Sequence, residues 1–177
     1  VPAFMIERVS RFTPEEETAN TISHIIGTML AVYATVLMLF FAIRSGDTTL
    51  IAGSSVFGAS MIALYLFSTL NHALPTGRAK NVFHNLDQVA VYLLIAGTYT
   101  PFALIMRHDW GWFLFGAEWT LALGGIIMKM LMPGTYERGV NVMVVASYVI
   151  MGWMIVFFMN PALRHFPPEC IFLILLG

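Results

Sequence analysis

Charge is scarce in this sequence. Only 11% of its 177 residues are Asp, Glu, Lys or Arg, against about 25% in a soluble domain. With 58% hydrophobic residues and a mean hydropathy of +0.78, water is excluded as the solvent for most of the surface. Neither sign dominates. Nine basic and ten acidic side chains leave a formal net charge of -1, which removes the basic footprint of a nucleic-acid binder. Cysteine is almost absent: Cys170 alone allows no internal disulfide, no CxxC redox pair and no thiolate zinc cluster. Any metal site must draw on His and carboxylates. A secretory signal is also missing, because Val1 to Arg11 holds Arg8 and Arg11 but no long apolar core and no small-residue cleavage site. The chain starts with Val and stops inside the apolar run Cys170 to Gly177, which is too short to cross a bilayer. Both ends read as cut, and the natural protein is expected to continue beyond Gly177.

What is present is a series of long uncharged runs. The predicted fold class is all-α, a polytopic transmembrane bundle with spans at 18–43, 50–70, 87–106, 110–132 and 139–159, and an incomplete sixth at 168–177. No soluble domain or linker separates them. Thr13-Pro14-Glu15-Glu16 predicts a helix start, with Thr13 as N-cap, Pro14 at the first helical position and Glu16 closing a capping box. Arg44-Ser45-Gly46-Asp47 predicts a turn at a membrane face. The small residues of the second run, from Ala52 to Ser60, would let helices approach closely. Asn85 and Gln88 offer a second capping-box pattern, which predicts that the third helix starts near Leu86 and leaves His84 in a solvated loop. Pro101 lies inside the third run and predicts a kink. Basic residues favour the N-terminal side: Arg8, Arg11, Arg78, Lys80, Lys129 and Arg138 lie there, against Arg44, Arg107 and Arg164 opposite. This bias predicts a cytoplasmic N-terminus.

The polar residues gather at that end. Glu17, Asn20 and His24 are spaced i, i+3, i+7 and share one helix face. Read blandly, Glu17 complements the helix dipole, Asn20 sits at the interface and His24 bonds a neighbouring helix. Three such groups on one face also suit a functional site, since polar groups in a membrane are costly. Ser68 and His72 share a face at the end of the second run, and Asp87 opens the third at the same level. An imidazole can ligate zinc, a carboxylate can orient or deprotonate a water, and a nearby hydroxyl can bond either. The alternatives are that Ser68 back-bonds its own helix, His72 sits in the interfacial zone and Asp87 serves the dipole. His108 and His165 fall on the opposite side, Glu118 in the fourth run has no assigned role, and Trp110, Trp112, Trp119 and Trp153 read as interface anchors and packing residues.

Glu17-x2-Asn20-x3-His24, Ser68-x3-His72 and the block from Leu86-Asp87-Gln88 to Gly97-Thr98-Tyr99-Thr100-Pro101-Phe102 resemble the hemolysin III family, bacterial relatives of the adiponectin and progestin receptors. The likeness runs through nearly the whole chain. It implies a seven-span fold, of which this chain is a part, around a zinc ion near the cytoplasmic side of a bacterial inner membrane. The zinc would be held by His72 and by two histidines of a His-x3-His motif that has no counterpart in this chain. Asp87 would orient the water and Ser68 would support it, while the Glu17, Asn20 and His24 motif has a less defined role. One imidazole alone holds zinc poorly, so the ion is expected in the full-length protein rather than on this stretch by itself. The implied activity is zinc-assisted hydrolysis of a lipid amide or ester, ceramidase-like, with the bilayer as partner and a lipid as substrate. The alternatives carried with it are a pore-forming or membrane-perturbing haemolysin and a non-enzymatic sensor of membrane state.

Overall fold

A computed structural model describes residues 12–131, 138–158, 164, 166–170 and 172, with side chains described from 142 onward in the second stretch. The helices are α1 (Pro14–Ser45), α2 (Thr48–Ala73), α3 (Arg78–Ile105), α4 (Gly111–Leu131) and α5 (Arg138–Gly152), followed by a 3₁₀ turn at Met154–Phe158. No strand occurs among the described residues. The first four helices have 32, 26, 28 and 21 residues and are apolar enough to span a membrane, which takes about 20 residues. The protein is a multi-pass helical membrane protein.

Local chemistry sets most of the helix ends. Thr13 Oγ1 accepts from the Glu16 amide at 3.3 Å, and Glu16 Oε2 accepts from the Thr13 amide at 2.8 Å, so the capping box that opens α1 is closed on both sides. Gly46, at φ 70, takes the left-handed conformation that ends α1. Asp47 then caps α2 by accepting from the Thr49 amide at 2.8 Å. The third start differs from its expectation: α3 begins at Arg78 after Gly77, well ahead of Asn85. Asn85 and Gln88 lie inside the helix, where Gln88 Nε2 meets His84 Nε2 at 2.9 Å. His84 is therefore a partly buried helical residue and not a loop histidine. Residues three apart are neighbours on any helix face, so the pattern alone does not mark a start.

The fifth run also differs. Residues 139–159 do not form one α-helix, because α5 stops at Gly152. Tyr99 of α3 causes the break: its hydroxyl donates to the Gly152 carbonyl at 2.8 Å and accepts from the Ile155 amide at 3.0 Å. Those groups are withdrawn from the helical ladder, and the Val156 amide bonds Trp153 instead. Of the sixth run, 168–170 and 172 are helical. The rest of it lies outside the described residues, as do Arg8, Arg11 and His165.

Successive helices are antiparallel neighbours, with α3 packed against α2, α4 and α5. Small residues form the seams. A Cβ on Gly53 would lie 2.7 Å from the Pro101 Cα, Gly97 faces Ser60, and Gly58 faces Thr35. Ala31, Ala42, Ala90, Ala96, Ala103 and Ala122 are buried beside the larger Tyr92, Met106, Leu114 and Met151. Lipid offers apolar side chains as good a home as a neighbouring helix does, so close backbone approach and van der Waals packing hold such helices together. The outer face of α1 bears Ile22, Ile26, Met29, Leu30, Val36 and Phe41, all exposed. An apolar surface of that extent belongs in hydrocarbon.

Candidate functional site

Antiparallel packing brings the start of α1, the end of α2 and the start of α3 to one end of the bundle. There the stripe on α1 faces inward: Glu17, Asn20 and His24 are partly buried, while Thr18, Ala19 and Ile22 between them are exposed. Glu17 is the meeting point. Its Oε2 lies 2.7 Å from Nδ1 of His72, and its Oε1 accepts from Lys80 Nζ at 2.9 Å. Lys80 also donates to the Leu74 carbonyl at 3.2 Å, so one cation ties the first turn of α3 to the end of α2 and to α1. The side chains of His72, Glu17 and Lys80 are 11%, 15% and 15% exposed, which shields this network from bulk water.

The second half of the cluster centres on Asp87. Asn71 Nδ2 donates to its Oδ2 at 3.1 Å, and the Ser68 side chain lies near the same carboxylate. Both imidazoles, His72 and His24, lie within electrostatic reach of it. His24 stacks on His72 with ring centroids 5.5 Å apart and planes 1° from parallel, and the Phe12 ring meets His72 edge-on at 5.7 Å. The His72 ring is thus held by a carboxylate at one nitrogen, an imidazole on its face and a phenyl ring at its side. A cleft of about 540 Å³ opens beside the network; its walls include Phe12, Pro14, Ile22 and Leu74, with Glu17, His72 and Lys80 among the polar groups.

The structure brings Glu17, His24, Ser68, His72 and Asp87 together, and places Asn20 on the same inward face, its carbonyl accepting from the Ser23 hydroxyl. Several bland alternatives lose their basis. Asp87 sits roughly 2.5 turns inside α3, too far from its start to serve the dipole. Ser68 lies near Asp87 across the helix interface, and Glu17 is paired with His72 and Lys80 rather than merely placed in a first turn. Lys80 and Asn71 are participants that sequence reasoning did not single out. Asn71 carried a weak signal, lying three residues after Ser68 and hence on its face. Glu118 is fully buried in α4, and neither carboxyl oxygen has a hydrogen-bond partner among the described residues. Trp119 is a packing residue whose indole donates to Thr100 Oγ1 at 3.1 Å, whereas Trp110, Trp112 and Trp153 are exposed.

Among the described residues no three His, Cys, Asp or Glu side chains are grouped so as to hold a metal ion. The donor chemistry nevertheless fits one corner of a zinc site. In its neutral form with the proton on Nδ1, His72 would donate to Glu17 and leave Nε2 free to ligate, the arrangement of a ligating imidazole with a carboxylate behind it.

Three comparisons bear on this arrangement. A model of the family described as haemolysin-III related matches residues 12–177. Hemolysin-3 of Bacillus cereus is 39% identical over 176 residues, covering 98% of this chain and 78% of that protein. The Hemolysin-3 homolog of Bacillus subtilis (strain 168) is 38% identical over 151 residues, covering 85% of this chain and 69% of that protein. No solved structure matches significantly.

Proposed function

The chain belongs to the haemolysin-III-related family, and from that premise we propose that the full-length protein is a zinc-dependent hydrolase of lipid amides or esters, ceramidase-like in substrate, with its site in the cytoplasmic half of a bacterial inner membrane. One observation carries the reading: His72, Asp87 and Ser68, from two different helices, gather at one end of the bundle, and His72 lines an open cleft there. Zinc, when bound, supplies a Lewis acid and charge stabilisation for attack of water on a carbonyl. His72 would hold it through Nε2.

The chain's own residues account for the rest. Asp87 takes the proton from the attacking water and returns it to the leaving amine or alcohol. Asn71 fixes the carboxylate that does so by donating to it from α2, with Ser68 beside it on the same helix. The acyl chain lies along Phe12, Ile22 and Leu74, and the polar head rests toward Glu17, His72 and Lys80, so a lipid enters sideways from the bilayer. The cytoplasmic placement rests on the excess of basic residues at this end.

A membrane-perturbing role is the reading that the names of the Bacillus relatives favour. A pore needs a continuous polar lining. Beyond the polar end, the buried polar groups of the described interior, Thr35, Ser60, Thr100 and Glu118, are interrupted by Ala31, Ala42, Gly53, Gly58, Ala96 and Ala103. The two readings part on one assay. Full-length protein in liposomes containing a long-chain lipid amide should release fatty acid without dye leakage, and His72→Ala should abolish release. Leakage without cleavage, or cleavage unaffected by His72→Ala, would sink the hydrolase reading.

A further inference from the structure

Glu118 is an acid that the hydrolytic reading leaves unused. It lies seven residues into α4, about 10 Å from the helix end that faces away from the polar cluster. It is fully buried, and neither carboxyl oxygen has a hydrogen-bond partner among the described residues. An ionisable side chain inside a membrane bundle is costly, which makes it a functional candidate. Leu114 and Ala122, one turn to either side on the same face, pack in two core clusters; the first takes in Met154 and Ile155, the second Met151. Glu118 is therefore turned toward the place where α5 stops and the 3₁₀ turn begins, a kind of break that often marks a hinge. Tyr99 holds that break by donating to the Gly152 carbonyl and accepting from the Ile155 amide, and it lies within electrostatic reach of the carboxyl. The other ionisable groups of the neighbouring elements are placed elsewhere. Tyr92 and Tyr148 meet Ser147 and the Gln88 carbonyl nearer the polar end, where Arg78 to Asp87 of α3 and Arg138 of α5 also belong. Arg107, His108 and Asp109 are exposed in the turn before α4, and Lys129 is about three turns farther along α4.

We propose that Glu118 is a proton-binding site in the half of the bundle opposite the polar cluster, and that Tyr99 couples its proton to the break in α5. An unpaired buried charge is so costly that a carboxyl with no donor neutralises instead, so the arrangement seen is that of the proton-bound site. Release of the proton to water leaves a carboxylate that demands a donor. The Tyr99 hydroxyl supplies one by turning from the Gly152 carbonyl to Glu118, which trades a neutral hydrogen bond for a charge-assisted one. The Gly152 carbonyl then loses its partner, and the short stretch after α5 loosens. The ligand is a proton alone, and the site draws nothing from the zinc chemistry at the other end of the bundle, so the inference stands apart from the hydrolytic reading.

The test is an infrared pH titration of the full-length protein, reading the C=O stretch of a protonated carboxyl, with amide hydrogen exchange over 153–158 on the same samples. The wild type should show a carboxyl band at neutral pH that Glu118→Gln removes, and the band should fade as pH rises. Tyr99→Phe takes away the donor that stabilises the ionised form, so its band should fade at a midpoint about one pH unit higher. Above the wild-type midpoint, amides 153–158 should exchange faster in the wild type than in Glu118→Gln at the same pH; below it the two should match. A wild type with no such band at neutral pH overturns the proposal, as does a band that persists until the protein unfolds in alkali. So does an unshifted midpoint in a folded Tyr99→Phe protein, or equal exchange in the wild type and Glu118→Gln above the midpoint. The exchange comparison decides alone where Tyr99→Phe fails to fold, because Glu118→Gln keeps Tyr99 and both backbone groups of the break.

Discussion

Asn71 is the residue whose contribution can be isolated most cleanly. It is buried, and its amide donates to a carboxylate that the mechanism keeps ionised. Asn71→Ala should cost ~1.5–3 kcal/mol, the range for a hydrogen bond to a charged group, seen as a lower melting temperature in detergent; an unchanged melting temperature would place the stability of this end elsewhere. Glu118 predicts the reverse. A buried carboxyl with no bonding partner among the described residues is a burden on the fold, so Glu118→Met should stabilise by ~1–3 kcal/mol, and destabilisation would reveal a partner beyond those residues. At this scale the sequence was readable where one helix supplies the geometry. Glu17, Asn20 and His24 share a face by spacing alone. Lys80 and Asn71 escaped because their roles depend on partners from another helix, which spacing within a helix does not encode.

The helices themselves carry two further expectations. Gly53 admits no side chain, since an added Cβ would lie 2.7 Å from the backbone of Pro101, whereas the same atom on Gly116 meets nothing within 4 Å. Gly53→Ala should lose ~1–3 kcal/mol from overpacking, while Gly116→Ala should gain up to ~1 kcal/mol from helix propensity. Thermal unfolding of the two variants side by side checks the α2–α3 seam, and equal effects would contradict it. The second expectation concerns the turn before α2. The Thr49 amide bonded to Asp47 holds its carboxyl below the ordinary value of 3.8. A depressed folded value means that the cap contributes fully above that ordinary value and fades as pH falls through the lower one. The melting-temperature gap between wild type and Asp47→Ala should stay constant above about pH 5 and close on acidification; a constant gap into acid would contradict the cap. Helix ends were legible where the signal is local, as in Thr13 to Glu16. The end of α5 was not, because Tyr99 reaches over from α3 to take the backbone groups at Gly152 and Ile155.

The membrane class follows from composition at the level of the whole molecule, because so few charges cannot cover a surface in water. The structure adds how the helices share that environment: α3 lies against three partners, and α1 turns its large side chains outward and its small ones inward. Binding of zinc to the native state only would couple the metal to global stability. Chelation of the full-length protein should therefore lower its melting temperature, and zinc should restore it, with His72→Ala insensitive to both. Family and span order were readable from the motifs, whereas the network at the polar end required three helices to be set side by side. The most direct test of the central claim is fatty-acid release from a long-chain lipid amide by zinc-loaded, full-length protein in liposomes, comparing the wild type with Asp87→Asn at equal zinc content. Removal of the proton acceptor should slow release by about 10²- to 10⁴-fold. Equal rates in the two proteins, or no release from the zinc-loaded wild type, would contradict it.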